Sequence, residues 1–180
     1  IGEVDILING VGGSSKRLPL MDTDIAEYER VIKLNLLGGC LLPSKHFSRY
    51  WIDRDIAGSI INIASMASYN PLSGAYAYSA AKAAVENHTR AMAKELARHH
   101  IRVNAIAPGF FLGKQNLRLL TNKDGSLTER GKNIIAHTPF GRFGKAEELC
   151  GITIFLASAA AGFISGATIP VDGAYLCDNI

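Results

Sequence analysis

Short apolar segments that are rich in β-branched residues alternate along this chain with longer segments of helical character. Such a segment, when turn-forming residues bound it, predicts a buried β-strand. Four segments have this character, at 5–9, 58–64, 101–106 and 167–171. Strands that alternate with helices form a parallel sheet with both faces covered, because the connecting helices pack against it. The sequence therefore predicts one α/β domain, residues 1–180, built on a doubly wound parallel sheet.

The predicted helices lie between these strands. The first begins near Asp24, whose spacing from Glu27 is that of a capping box. Two glycines and Pro43 interrupt it, so we expect a kink or a second helical segment that continues to about Trp51. Further helices are predicted at 75–99 and 146–157. The segment 110–139 is polar, irregular and only partly helical, and its length predicts a substrate-binding loop region rather than a plain connection.

Charge and cysteine usage limit the possible partners. The formal net charge of +3 is small and the basic residues form no tract, which argues against a nucleic-acid partner. Cys40, Cys150 and Cys177 are widely spaced and lack metal-ligand spacing, so we expect no metal site and reduced thiols in a cytoplasmic protein. No apolar segment reaches the roughly 18 residues of a membrane span, so neither a membrane contact nor a signal peptide is expected.

Tyr78 and Lys82 lie four residues apart at the start of the long predicted helix and therefore share one face. A phenol with a pKa of about 10 is a poor acid or base at neutral pH, and a neighbouring ammonium favours the phenolate. The pair therefore predicts an acid–base site. It is weak evidence by itself, because chance alone supplies roughly 0.3 such pairs in this composition. A half-buried tyrosine beside a surface lysine is the plain structural alternative.

Three further features favour the acid–base site. Ser65 follows the strand 58–64, and a serine at the carboxyl end of a parallel strand can hydrogen-bond a carbonyl oxygen in the ligand crevice. The glycines of the loop 9–12 permit a flat ligand to approach the backbone closely. Asn35 lies in an otherwise apolar stretch, and its amide needs partners such as a water at a helix bulge. A strand-end cap, a tight turn and a satisfied core amide are the respective structural alternatives.

The segments NGVG, KLNLLG, GSIINIAS, YSAAK and IRVNAIAPG occur in an order and spacing that resembles the short-chain dehydrogenase/reductase family. The closing segments PFGRFGKAEELCGITIFLAS and SGATIPVDGA resemble the same family's C-terminal helix and strand. Several independent motifs contribute over nearly the whole chain, so chance agreement is far rarer than for any one of them. The resemblance implies a Rossmann-like fold and a hydride-transfer enzyme that uses NAD or NADP.

The resemblance also implies roles for individual residues. Tyr78 would be the general acid in reduction and the general base in oxidation, and Ser65 would hold the substrate oxygen. Lys82 would bind the ribose hydroxyls of the cofactor and lower the pKa of Tyr78, while Asn35 would keep a water that relays protons to Lys82. The other cofactor contacts would come from Asn9 and Gly10 on the adenosine side, Val11 and Gly12 in the same loop, and Pro108 and Gly109 beside the nicotinamide.

Departures from the family pattern concern the cofactor. No glycine-rich fingerprint of the form G-x-x-x-G-x-G or G-x-G-x-x-G occurs, so we expect an N-terminally truncated fold that about 75 to 90 further residues would complete. The residue that distinguishes NAD from NADP would lie in that part. Gly10 and Val11 replace the second Asn and the Ala of the usual NNAG, and residues 110–113 lack the threonine that often follows Pro-Gly.

The segment 110–139, together with LINGVGG, resembles the branch of the family that acts on sugar acids, the fructuronate reductase (D-mannonate oxidoreductase) type. Donors for a carboxylate and hydroxyls are available at Lys114, Gln115, Asn116 and Arg118, and the pair Lys16–Arg17 lies just past another predicted cofactor loop. Solvated loop residues are the structural alternative for each of them. A 3-oxoacyl or other carbonyl reductase is an alternative, because Phe110 and Phe111 could line an apolar pocket. A non-catalytic dinucleotide-sensing module is a second alternative. The resemblance further implies a homo-oligomer, a tetramer or a dimer.

Overall fold

Four parallel strands form the sheet at the centre of the computed structural model, which describes residues 3–113 and 116–178. They are β1 (Ile6–Asn9), β2 (Ser59–Ile63), β3 (Arg102–Pro108) and β4 (Thr168–Val171). In the part of the chain described, their order in space follows the sequence, β1-β2-β3-β4, with Ile8 opposite Ile61 in the first pair. The parallel sheet and the α/β fold predicted from the alternating pattern are confirmed.

Helices follow or precede each strand, close to where the sequence predicts them. The α-helices among the described residues are α1 (Ile25–Ile32), α2 (Leu42–Ile52), α3 (Tyr76–Leu96), α4 (Leu117–Leu120), α5 (Glu129–Ala136) and α6 (Cys150–Ala157). Single 3₁₀ turns lie at Leu20–Asp22, Met66–Ser68, Ala97–His99, Ala146–Leu149, Ala159–Ala161 and Tyr175–Cys177. The Asp24 carboxylate caps α1 by accepting hydrogen bonds from Ala26 N and Glu27 N, as the predicted capping spacing requires.

A π-helical segment, Lys33–Leu41, joins α1 to α2 at the place where the sequence predicts an interruption. Gly39 has no room for a side chain there, because a Cβ would come within 2.9 Å of Leu34 O and still closer to Val11 O. Pro43 lies in the first turn of α2, where its missing N–H costs no helical hydrogen bond. The loop after β1 therefore packs directly on the π-helical segment.

Both faces of the sheet are covered by helices. Ile60 and Val103 are fully buried on the side of α2 and α3. Their strand neighbours Ile61 and Ile106 point to the opposite side, where they pack with Leu156 of α6. This alternation of buried residues is the doubly wound arrangement, with an apolar core on each side of the sheet.

The segment 110–139 packs around a small core that it shares with Phe143. Leu120 of α4 and Ile134 of α5 are buried together with Phe143. The segment is partly helical, as predicted, and it contributes to a buried core that its polar composition did not indicate. Two of the predicted substrate donors, Lys114 and Gln115, lie outside the described residues.

Candidate active site

The predicted catalytic residues converge at the carboxyl edge of the sheet. Ser65 lies two residues beyond β2, and Tyr78 and Lys82 occupy the first two turns of α3. Asn35 reaches the same edge from the π-helical segment and contacts the loop that follows β1. Ligands bind at the carboxyl ends of the strands in sheets of this topology. The structure therefore brings together, at one edge, side chains that are far apart in the sequence.

The Tyr78 phenol lies beside the Ser65 hydroxyl at this edge. Burial raises the pKa of Tyr78, and a hydrogen bond from Ser65 to the phenol oxygen acts in the opposite direction. Ser65 is itself buried, and its Oγ also accepts a hydrogen bond from Ala67 N at 3.1 Å. Ser65 thus caps a short turn, as the structural alternative predicts, and also contacts the candidate acid. Both hydroxyls can hydrogen-bond the same substrate oxygen.

Lys82 is buried beside Tyr78, with its Nζ 5.7 Å from the centroid of the Tyr78 ring. The ammonium donates a hydrogen bond to Ile63 O at 2.7 Å. Burial lowers the pKa of Lys82 to about 8. The predicted effect of Lys82 on Tyr78 remains a prediction, and burial, which is the larger influence in the free protein, raises the pKa of Tyr78. The apolar surroundings disfavour the phenolate, while the ammonium is directed at the strand carbonyl.

Asn35 fixes the loop after β1 to the π-helical segment. Its Nδ2 donates to Gly13 O at 2.7 Å and to Val31 O at 2.9 Å, and its Oδ1 accepts from Gly13 N at 3.1 Å. The buried amide is therefore fully satisfied, which is the structural alternative stated for it. Its predicted part in a proton relay remains a prediction.

Gly12 lies between the two polar side chains that flank the loop. A Cβ at this position would come within 2.6 Å of Asn35 Oδ1 and 3.4 Å of Lys82 Nζ. At Gly10, in contrast, no atom lies within 4 Å of the corresponding position, and the neighbouring Val11 is 60% exposed. The loop is thus closely packed at Gly12 and exposed at Gly10 and Val11.

The Asn9 side chain lies in the protein interior, although a cofactor contact was predicted for this residue. Its side chain is buried and its Nδ2 donates to Ser44 Oγ at 2.9 Å and to Asn62 Oδ1 at 2.8 Å. Asn62 Nδ2 in turn donates to Thr89 Oγ1 at 2.9 Å. Only the backbone of Asn9 is left for the predicted cofactor contact, since the side chain links β1 to α2 and β2.

The second predicted cofactor loop, Pro108–Gly109, follows β3. Gly109 N donates to Val171 O at 3.0 Å, and a Cβ at Gly109 would approach Asp172 Cα to 2.7 Å. Glycine is therefore required here by the adjacent chain after β4. The next residue, Phe110, packs its ring edge-on against Tyr175, with 5.3 Å between ring centroids. Aromatic groups thus border this end of the site.

Sequence reasoning missed Asn62 and Thr89, which connect β2 to α3 within the core. An amide inside the apolar strand SIINI was a usable signal, of the kind applied to Asn35. Asn116, a predicted substrate donor, is occupied locally: its Nδ2 donates to Phe111 O at 2.7 Å and its Oδ1 accepts from Gly113 N.

Residues 3–113 and 116–178 contain no group of three or more His, Cys, Asp or Glu side chains placed to hold a metal ion. Over the same ranges, no helix combines the length and the apolar character that crossing a membrane requires.

Comparison with known proteins connects this geometry to a group of oxidoreductases. The family model described as Enoyl-(Acyl carrier protein) reductase, of the short-chain dehydrogenase type, matches residues 1–175. The uncharacterized oxidoreductase UxuB of Bacillus subtilis (strain 168) is 43% identical over 193 residues, which cover 97% of this chain and 68% of that protein.

Two solved structures are similar over nearly the whole chain. A protein from Haemophilus influenzae, described as a D-mannonate oxidoreductase with bound NAD, is 38% identical with a TM-score of 0.87, covering 97% of this chain and 68% of that one. A gluconate 5-dehydrogenase from Burkholderia cenocepacia J2315, in complex with NADP and tartrate, is 35% identical with a TM-score of 0.88, covering 98% and 66%. The chain thus spans about two thirds of the length of these relatives.

Proposed function

Because this chain belongs to the short-chain dehydrogenase/reductase family, we propose that the complete protein transfers a hydride between NAD or NADP and the ketone or secondary alcohol of a sugar acid. The observation that carries the proposal is the convergence of Tyr78, Ser65 and Lys82 at the carboxyl edge of the sheet. These groups can hydrogen-bond one oxygen atom and supply or remove its proton, as interconversion of a ketone and an alcohol requires.

The residues of this edge fit the nicotinamide end of a dinucleotide. Lys82 uses one of the three ammonium donors on Ile63 O, which leaves donors for ribose hydroxyls. Open space borders Gly10 and Val11. We propose that Tyr78 and Lys82 contact the ribose, and that the loop 9–12 and the pair 108–109 line the rest of the cofactor site. When bound, the nicotinamide supplies the hydride for reduction or accepts it in oxidation.

The proton chemistry falls to side chains of this chain. In reduction, Tyr78 donates its proton to the carbonyl oxygen while Ser65 donates a hydrogen bond to the same atom. The raised pKa of Tyr78 keeps its phenol protonated at neutral pH, which suits a proton donor. Lys82, which stays largely protonated below a pKa of about 8, stabilises the phenolate that remains. Asn35 holds the loop beside Lys82, and we keep the water relay to Lys82 as part of the proposal.

The proposed substrate is a keto sugar acid of the fructuronate type, with the corresponding mannonate as the alcohol. Support comes from the relatives, whose names include a D-mannonate oxidoreductase and a gluconate 5-dehydrogenase. The segment 110–139, which packs at the same edge through Phe110 and Tyr175, is the proposed substrate-binding region. The assignment to sugar acids is narrower than the proposed reaction type, so a result can contradict the substrate class without contradicting the reaction.

We also propose a cytoplasmic homo-oligomer, a tetramer or a dimer. α2 and α3 share a surface groove with exposed or half-buried apolar side chains, which include Leu42, Ile52 and Met92. Ile154 of α6 and Phe163 are exposed on the other side of the molecule. Apolar surface of this kind is typical of contacts between subunits. Light scattering on the complete protein distinguishes a monomer from either assembly.

A substrate panel tests the proposed reaction. The complete protein is assayed with NADH and NADPH against fructuronate, 5-ketogluconate and a 3-oxoacyl thioester. Reduction of a sugar acid supports the proposal. Reduction of the thioester alone favours the 3-oxoacyl reductase alternative, for which the small cleft lined by Phe110, Phe111 and Phe140 is the supporting observation. Turnover of no carbonyl compound favours the non-catalytic dinucleotide-sensing alternative.

Tyr78→Phe tests the proposed acid. We expect kcat to fall by at least about 100-fold, because the phenyl ring cannot protonate the carbonyl oxygen. Tyr76→Phe is the matched control: this tyrosine lies two residues earlier in α3 and is 41% exposed. It is expected to change kcat by less than roughly twofold. Equal effects of the two substitutions would contradict the assignment of Tyr78.

A further inference from the structure

The helix that carries Tyr78 begins without a side-chain cap. The Asp24 carboxylate caps α1, and the Thr128 hydroxyl caps α5. The residue before α3 is Ala75, and within the described part of the chain no side chain caps this helix. The first N–H groups of a helix have no intrahelical partners, so an uncapped first turn opens more easily than a capped one. The proposed acid, Tyr78, lies in this first turn.

Ser79, the residue after Tyr78, binds the turn that precedes the helix. Ser79 is 5% exposed, and its Oγ accepts a hydrogen bond at 3.1 Å from Leu72 N, seven residues earlier. Leu72 O in turn accepts a hydrogen bond from Ala75 N at 3.0 Å. Both backbone groups of Leu72 are therefore bound to the start of α3. The Ser79 hydroxyl thus joins this turn to the helix from inside the first helical turns, whereas a cap would do so from outside.

The loop after β1 fixes the same turn from its other side. Leu18 N donates a hydrogen bond to Gly74 O at 3.2 Å. Gly74 has a φ of +68°, and a Cβ there would come within 3.1 Å of Leu18 O. A residue with a side chain would be strained in this conformation and would also crowd the loop. The turn 72–75 therefore has a defined position against the loop after β1, and Ser79 is the side chain that connects it to α3.

Lys82 has a separate support. It lies one turn further along α3, and its ammonium donates to Ile63 O at 2.7 Å. The strand therefore holds Lys82 directly, while the start of the helix is held through Ser79. Loss of the Ser79 hydroxyl is expected to displace Tyr78 and to leave Lys82 in place.

We propose that Ser79 is a positioning residue for Tyr78: its hydroxyl takes the place of the missing cap and keeps the Tyr78 phenol beside Ser65. The inference rests on the proposed function, in which Tyr78 and Ser65 act on one substrate oxygen. Ser79 acts through Tyr78 and not on the substrate, because its Oγ is bound to Leu72 N inside the protein. A displacement of about 1 Å at the reacting atoms can cost roughly 100-fold in rate, so one hydrogen bond at this point can affect turnover.

Ser79→Ala in the complete enzyme tests the proposal. We expect kcat for the reduction of fructuronate to fall by about tenfold, because the first turn of α3 loosens. KM for the cofactor should change by less than roughly twofold, because Lys82 keeps its hydrogen bond to Ile63 O. Ser79→Thr retains the hydroxyl and is expected to restore kcat to within about threefold of the parent.

The pH profile of turnover separates positioning of the acid from a general loss of stability. Burial raises the pKa of Tyr78 in the parent. Water that reaches the phenol through a loosened turn favours the phenolate and lowers that pKa. In the reduction, kcat falls at alkaline pH as the acid loses its proton. This fall should therefore occur at lower pH in Ser79→Ala than in the parent.

Ser59→Ala is the matched control for loss of a buried serine hydroxyl. Ser59 is buried and its Oγ donates to Leu156 O at 3.2 Å, but it lies at the amino end of β2, the edge of the sheet opposite Tyr78. We expect this variant to be less stable in urea than the parent, with kcat and its alkaline fall unchanged. An equal loss of kcat in Ser59→Ala and Ser79→Ala would overturn the proposal. An unchanged alkaline fall in Ser79→Ala would overturn it as well.

Amide hydrogen exchange of the complete protein, measured without substrate, separates this proposal from the proposed activity. The Leu72 amide and the first turn of α3 are expected to exchange at least about tenfold faster in Ser79→Ala than in the parent. In Ser59→Ala they should exchange at the rate of the parent. Faster exchange confined to this place supports the role of Ser79 in holding the start of the helix, even if the enzyme reduces none of the tested ketones. Unchanged exchange at Leu72 contradicts the proposal whatever the activity.

Discussion

Gly12 lies where the Asn35 amide and the Lys82 ammonium approach the same loop. A methyl group at this position would meet Asn35 Oδ1 at 2.6 Å. We therefore expect Gly12→Ala to lower the free energy of unfolding by about 1–3 kcal/mol, because the amide must move and release Gly13. Denaturant unfolding without cofactor measures the change. The matched control is Gly10→Ala, where open space predicts a change within roughly 0.5 kcal/mol. Equal losses at the two glycines would show that backbone flexibility, not contact with Asn35, decides the outcome.

At the scale of single residues, the spacing of residues in the sequence predicted which side chains lie close together, but it did not predict the direction of their pKa shifts. The four-residue separation of Tyr78 and Lys82 places both side chains at one site, since helix geometry alone determines it. The direction of the Tyr78 pKa could not be predicted, because it depends on burial by residues far away in the sequence. Likewise, the position of Asn9 after a strand suggested a ligand contact, whereas its buried partner Asn62 comes from another strand.

At the scale of secondary-structure elements, a line of buried polar groups connects two strands to the catalytic helix. Asn9 of β1 donates to Asn62 of β2, and Asn62 donates to Thr89 of α3, which is fully buried. Thr89 lies on the same helix as Tyr78 and Lys82. A buried amide that loses its partner pays the full desolvation cost. The line therefore fixes the position of α3 on the sheet, and with it the position of the acid.

Thr89→Val tests this link between α3 and the sheet. The substitution keeps the shape but removes the acceptor of Asn62 Nδ2, so we expect the free energy of unfolding to fall by about 1–3 kcal/mol. Thr153→Val in α6 is the control: its hydroxyl donates only to Leu149 O within the helix, and we expect a loss below about 1 kcal/mol. Urea denaturation compares the two. A loss at position 89 no larger than that at position 153 would argue against the proposed link.

The strands and helices were predictable where residues close in the sequence determine them. They were less predictable where contacts with distant parts of the chain determine the structure. Apolar segments and turn residues sufficed for the strands and for the long α3. The second helical segment predicted to continue to about Trp51 is confirmed by α2, whereas the π-helical form of the interruption before it was not predicted. Sequence alone could not show this, because the loop after β1 packs against Gly39 and Asn35 and favours the wider turn. The buried core of 110–139 escaped prediction for a similar reason, since Phe143 lies outside the segment.

At the scale of the whole molecule, two buried titratable groups give the stability opposite dependences on pH. Burial lowers the pKa of Lys82 from 10.5 to about 8, so the unfolded chain binds a proton that the folded protein releases as the pH rises above about 8. Stability therefore rises with pH in that range. Burial raises the pKa of Cys40 from 9.0 to about 11, so above pH 9 the folded protein keeps a proton that the unfolded chain loses. That contribution lowers stability and offsets the first.

Of these two groups, Lys82 is therefore the one that changes the stability between pH 8 and pH 9. Lys82→Met removes its contribution, and we expect the stability of the parent relative to this variant to increase by about 1 kcal/mol between pH 7 and pH 9. Denaturant unfolding of the complete enzyme at both pH values measures the difference. Lys94→Met, at an exposed position of the same helix, is the control. Its free energy of unfolding should differ from that of the parent by the same amount at pH 7 and at pH 9. If the free energies of unfolding of Lys82→Met and the parent differ equally at both pH values, the ammonium titrates as in water. The site would then be more open to solvent than its burial indicates.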